Sequence, residues 1–114
     1  MDAYINITGY HCYNYEFIKK EFPYNIPSSR FLRSYNKKFS FLEGLKIRRI
    51  KKAMTHAAKK KMVYHLWWHP HNFGRNTQEN IKMLDLILNH YFYLNKLYGF
   101  ESVTMQRLSE QLTA

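Results

Sequence analysis

Three of the chain's six histidines, His65, His69 and His71, fall in the stretch 62–72, Met-Val-Tyr-His-Leu-Trp-Trp-His-Pro-His-Asn. Imidazole is the side chain that exchanges protons near neutral pH, and it is also a common metal ligand. The His65-x-x-x-His69 spacing suits a shared ion only on a helix. In an extended segment those two residues stand roughly 13 Å apart. His69-Pro70-His71 is the better pair, because alternate residues of a strand share a face. Zinc would still need another ligand, often a carboxylate. The only aspartates, Asp2 and Asp85, are distant in sequence, and Glu79 is expected to cap a helix. The other reading is one catalytic histidine, His69, and one loop histidine, His71. On residue types alone, a His69 that merely hydrogen-bonds its loop is the simpler account.

These groups need an element to hold them. Val63, Tyr64, Trp67 and Trp68 favour a pleated, half-buried surface. Pro70 lacks a ladder donor and ends the strand. Trp67 and Trp68 point to opposite faces, so one enters the core and the other is available to line a pocket. Ligands of α/β proteins gather at the carboxyl ends of strands, where His69 falls.

A helix is expected on each side. Over 41–61, Leu42, Leu45, Ile50, Ala53, Met54, Ala57 and Ala58 make a narrow apolar stripe. Eight of the chain's 18 basic residues, among them Lys46 and Arg49, occupy its other faces. Asn76-Thr77-Gln78-Glu79 has the form of a capping box. From Ile81 to Tyr98 apolar residues repeat at three and four, and Gly99 is a C-terminal stop. Residues 4–9 and 101–104 read as short strands, 15–21 as a short helix, and Thr104 as the cap of a last helix bearing Leu108 and Leu112. Pro23 and Pro27 mark a long connection. Helix, strand, helix, short strand, helix implies an α/β chain with at least one parallel crossover.

Composition sets the outer bounds. At 114 residues the chain is about one small domain. Its 18% aromatic content argues against disorder despite a net charge of +10. The single Cys12 rules out an internal disulfide within one copy. No run is apolar enough for a membrane span, and no signal peptide is evident, so the default compartment is the cytoplasm. The basic helix admits a nucleic-acid reading. Its charges spread around the helix, however, and a solvated face is the simpler account.

Residues 63–73, Val-Tyr-His-Leu-Trp-Trp-His-Pro-His-Asn-Phe, strongly resemble the last motif of polysaccharide deacetylases, the group that includes chitooligosaccharide and peptidoglycan N-deacetylases. Glu79-Asn80, the following helix and Val103-Thr104-Met105 look like that family's ending. Residues 27–35 and the basic helix resemble a bacterial subgroup. The resemblance implies the C-terminal part of a distorted (β/α) barrel, with 42–114 contributing helix–strand–helix and 1–41 an irregular, loop-rich segment. It implies a metal-dependent hydrolase that removes N-acetyl groups from sugars. His69 matches the general acid and Trp67 the wall of the acetyl pocket; His71, two residues beyond His69, is expected to be a further substrate-binding residue. The family's divalent metal, zinc or similar, is held by an aspartate and two histidines of motifs with no counterpart here. This chain alone is therefore expected to hold no metal and to be inactive. Its implied partner is an N-acetylated carbohydrate, with self-association through unpaired strand edges. The alternatives are a basic nucleic-acid-binding module, with nucleic acid the less favoured partner, and a noncatalytic carbohydrate- or partner-binding remnant.

Overall fold

Two helices, packed side by side against a minimal sheet, carry the architecture of the computed structural model, which describes residues 10–20, 26, 28–69 and 73–113. The elements are α1 (Tyr15–Ile18), β1 (Arg30–Phe31), a 3-10 helix (Lys37–Leu42), α2 (Glu43–Lys60), β2 (Leu66–Trp67), α3 (Thr77–Tyr98) and α4 (Met105–Thr113). Residues 4–9, expected as a strand, lie outside the described residues.

β1 and β2 pair in parallel, Arg30 opposite Leu66 and Phe31 opposite Trp67. The 3-10 helix and α2 make the crossover between them, as a parallel pair requires. A parallel crossover is therefore present, but it joins β2 to the upstream segment. Residues 101–104 form no strand. Upstream of the pair, Tyr13 and Val63 form an antiparallel bridge, exchanging two backbone hydrogen bonds of 2.6 and 3.0 Å.

The principal core lies between α2, α3 and one face of the pair. Leu32, Ile50 and Leu94 are its most deeply buried members, with Met54, Met83 and Ile87 around them. Tyr64, Leu66 and Trp68, alternate residues of the β2 segment, pack onto it from the sheet. A second cluster joins Ile18 to Leu108 and Leu112, so α4 is fastened to the N-terminal segment.

Helix ends follow local chemistry in most places. Asn14 Oδ1 accepts from Phe17 N at 2.8 Å to start α1, which ends at Ile18, before the expected position 21. Gly99 stops α3 at φ 69°, a left-handed conformation that glycine adopts without a Cβ penalty. Thr104 Oγ1 accepts from Arg107 N at 3.1 Å and caps α4. Lys61 closes α2 in a left-handed conformation at φ 55°, and Met62 N donates to Ala57 O at 2.8 Å.

Three further expectations need correction. The capping box is not formed: Asn76 is itself left-handed at φ 58° and makes no side-chain cap. Its Nδ2 donates to Tyr35 O at 3.4 Å, while Thr77 Oγ1 donates to Phe73 O at 2.9 Å. The regular α-helix begins at Glu43, because the residues before it wind as 3-10. Finally, the basic faces of α2 are not all solvated. Lys46 and Arg49 are buried, whereas Leu45 is 40% exposed. Lys46 Nζ pairs with Glu43 at 2.5 Å and donates to Arg33 O and Ser34 O at 2.9 and 3.4 Å. A buried ammonium is tolerable only with such partners. Burial lowers the Lys46 pKa from its ordinary value, and the Glu43 carboxylate opposes that shift.

Candidate functional site

β2 ends by placing Trp67 and His69 on the face of the sheet opposite the core. Trp67 lies against Phe31, its partner in the register, with ring centroids 4.6 Å apart. The His69 ring stands edge-on to Trp67 at 5.3 Å and an interplanar angle of 87°. Phe31 lies 6.2 Å from the same imidazole. Edge-to-face packing at these separations matches the quadrupole of aromatic rings. The three rings thus form a shelf with His69 at its solvent-exposed end.

The loop before β1 supports the shelf. Trp67 Nε1 donates to Ser28 Oγ, which satisfies the indole. Ser29 Oγ accepts from His65 N at 2.9 Å, and His65 O accepts from Ser29 N and Arg30 N at 2.9 and 3.1 Å. His65 is therefore placed by its backbone within the ladder. On the other face, Trp68 stacks on Phe73 with rings 5.8 Å apart and 9° from parallel. The two tryptophans divide between core and open face as their alternation predicts.

One side chain bonds to a residue that follows each strand. Asn80, fully buried in the first turns of α3, accepts from Tyr35 N through Oδ1 and donates to Arg75 O at 2.9 Å through Nδ2. Tyr35 follows β1 and Arg75 follows β2. A single carboxamide thus joins the two segments that leave the sheet at the His69 end.

Trp67 and His69 come together as the alternation requires. His71, with Pro70 and Asn72, lies outside the described residues, so the His69/His71 pair is not part of this geometry. Phe31, Ser28 and Asn80 are contributors the residue pattern did not single out as site residues. Phe31 lies in a segment without period, Ser28 reads as a turn residue, and Asn80 reads as one polar residue among several in the first turn of a helix. Only the pairing of β1 with β2 gives the first two a role.

Among the described residues, no group of three His, Cys, Asp or Glu side chains could hold a metal ion. A cleft of about 680 Å³ lies on the opposite side of β2 and is lined by Tyr64, Trp68, Ile87, Tyr91 and Met105 among others. Neither Trp67 nor His69 borders it. There, burial pushes the Tyr64 hydroxyl from its ordinary 10.0 up to about 12. No protein-family model, curated protein or solved structure matches the chain.

Proposed function

We propose that this chain supplies the C-terminal segment of a polysaccharide deacetylase-like hydrolase, with His69 as the proton donor and Trp67 as a wall of the acyl pocket. The observation that carries the reading is the Trp67–His69 step. An exposed imidazole stands beside an aromatic shelf at the carboxyl end of a parallel strand pair. That placement suits removal of an acetyl group from an N-acetylated sugar. When the tetrahedral intermediate collapses, the leaving nitrogen must gain a proton, because an amine departs far more readily than an amide anion. His69 supplies that proton, and the Phe31–Trp67 rings exclude water from the apolar side of the substrate.

The resemblance also implies a divalent metal to activate the attacking water. The described residues do not offer a donor set for it, so no step is assigned to a metal here. This chain contributes proton transfer and one wall of the pocket, and activation of the attacking water falls to residues of the family's earlier motifs.

The test uses a complete enzyme in which this segment joins the metal-binding motifs. His69→Ala should lower kcat by about 10²–10⁴-fold, the usual contribution of general acid catalysis, with metal content unchanged. His65→Gln should have a much smaller effect. Loss of metal from His69→Ala would refute the proton-donor role and favour a His69 ligand. The aromatic pair by itself also suits a noncatalytic carbohydrate-binding remnant. Release of acetate by the complete enzyme separates the two readings.

A further inference from the structure

We propose that the outward face of α2 docks on an anionic phospholipid surface. Residues 37–61 contain ten of the chain's 18 basic side chains and a single carboxylate, Glu43, which is paired with Lys46. Part of that charge is buried, but Arg48, Lys52 and Lys59 are exposed. They repeat at four and seven along α2 and share one face. Leu45 lies on the same stripe and is 40% exposed. Phe41, just before it in the 3-10 helix, is 77% exposed, the most of any large apolar residue described. From Leu45 to Lys59 the stripe runs about 21 Å along the helix.

The stripe points away from the sheet, because Ile47, Ile50 and Met54 occupy the opposite side of α2 in the core. Further strands joining β1 or β2 would therefore leave it exposed. None of Arg48, Lys52 and Lys59 takes part in an ion pair among the described residues, so their charge is not neutralised within the fold.

Two polyanions suit such a face, and the apolar end favours lipid. Phosphodiester groups in a nucleic-acid groove leave exposed hydrocarbon without a partner. At a bilayer, Phe41 and Leu45 enter the headgroup–acyl boundary while the cations stay among the phosphates. No helix among the described residues is long and apolar enough to cross a membrane, so the association is peripheral. The proposal is independent of the deacetylase reading.

The test is flotation of the full 114-residue chain with vesicles, which separates bound protein from aggregates that sink. Vesicles of phosphatidylcholine with about a third phosphatidylglycerol should carry the protein upward, and pure phosphatidylcholine should not. Raising the salt should release it. Replacing three cations together (Arg48→Gln, Lys52→Gln, Lys59→Gln) should weaken partitioning on the order of 100-fold. Phe41→Ser should weaken it about tenfold. Circular dichroism should match the parent in both variants, because every substituted side chain is exposed. Equal binding to neutral vesicles, or parental binding by the triple variant, would overturn the proposal. So would tighter binding of a duplex oligonucleotide than of anionic vesicles, with the same loss in the triple variant.

Discussion

Replacing Asn80 by Ala tests whether one side chain holds together Tyr35 and Arg75, which follow β1 and β2. The carboxamide is 0% exposed and makes two hydrogen bonds, to Tyr35 N and Arg75 O. Truncation leaves a part-buried N–H and a part-buried carbonyl without these partners. An unsatisfied buried group costs about 1–3 kcal/mol. Partial access of water at the two loops lowers the sum, so the expected loss is about 2–4 kcal/mol. That is a large fraction of the roughly 5–15 kcal/mol available to a small domain. Asn80→Asp probes the same bonds separately. Its ionised form keeps the acceptor for Tyr35 N but sets a negative charge against Arg75 O. Burial without a cation raises the pKa of the new carboxyl in the folded state. Such a group stabilises at low pH and loses that stabilisation as pH rises, so Asn80→Asp should recover stability on acidification while Asn80→Ala does not. Urea unfolding followed by circular dichroism, at several pH values and a fixed protein concentration, reads both effects. A loss below about 0.5 kcal/mol in Asn80→Ala would refute the clamp.

Other outcomes follow from local environments. Burial pushes the Cys12 thiol up to about 11 from 9.0, so near pH 8 its alkylation in the folded chain should be about 100-fold slower than in urea; equal rates would contradict this. His90, whose Nε2 lies 2.8 Å from Thr55 Oγ1 and 3.1 Å from Lys51 O, has its pKa lowered, chiefly by burial. A lowered folded pKa means that the unfolded chain takes up the proton first. Stability should therefore decline as pH falls through about 6.5, and His90→Gln should remove that part of the slope. On the flanks of α3, Ile81, Leu88 and Phe92 are 52%, 45% and 59% exposed, and Leu86, Tyr93 and Leu97 are exposed as well. Together with a sheet of two strands among the described residues, this predicts concentration-dependent self-association in size-exclusion chromatography. A monomer at all concentrations would count against it.

Several elements were legible without the fold because their signals are local. The 3.6-residue repeat in α3 selects Ile87 and Leu94 for the core, and Gly99 supplies the left-handed residue that ends the helix; Ile81, Leu88 and Tyr98 on the same repeat are exposed, and Met83, off it, is buried. Alternation in the β2 segment divides Trp67 from Trp68, and Thr104 caps α4 within a single turn. The site was legible only in part. Trp67 and His69 share a face by periodicity alone, but β1 is two residues long and carries no period to announce it. Phe31 reaches the imidazole only through a backbone pairing that spans α2.

Burial of charge was still less accessible. A helical wheel sets Lys46 among Ile50, Ala53 and Ala57 on the apolar side of α2, but the carbonyls of Arg33 and Ser34 that, with the Glu43 carboxylate, let its ammonium be buried there come from outside the helix. The same holds at the start of α3. A capping box stabilises an isolated helix end, but here the Asn76 amide turns to Tyr35 O, and Asn80 takes the donors and acceptors of both loops. Sequence by itself determined which residues could form the long helices, that α3 stops at Gly99, and which face of β2 would present Trp67 and His69. The tertiary structure decided which segment pairs with β2 and which polar side chains leave water, because both depend on partners brought together from distant parts of the chain.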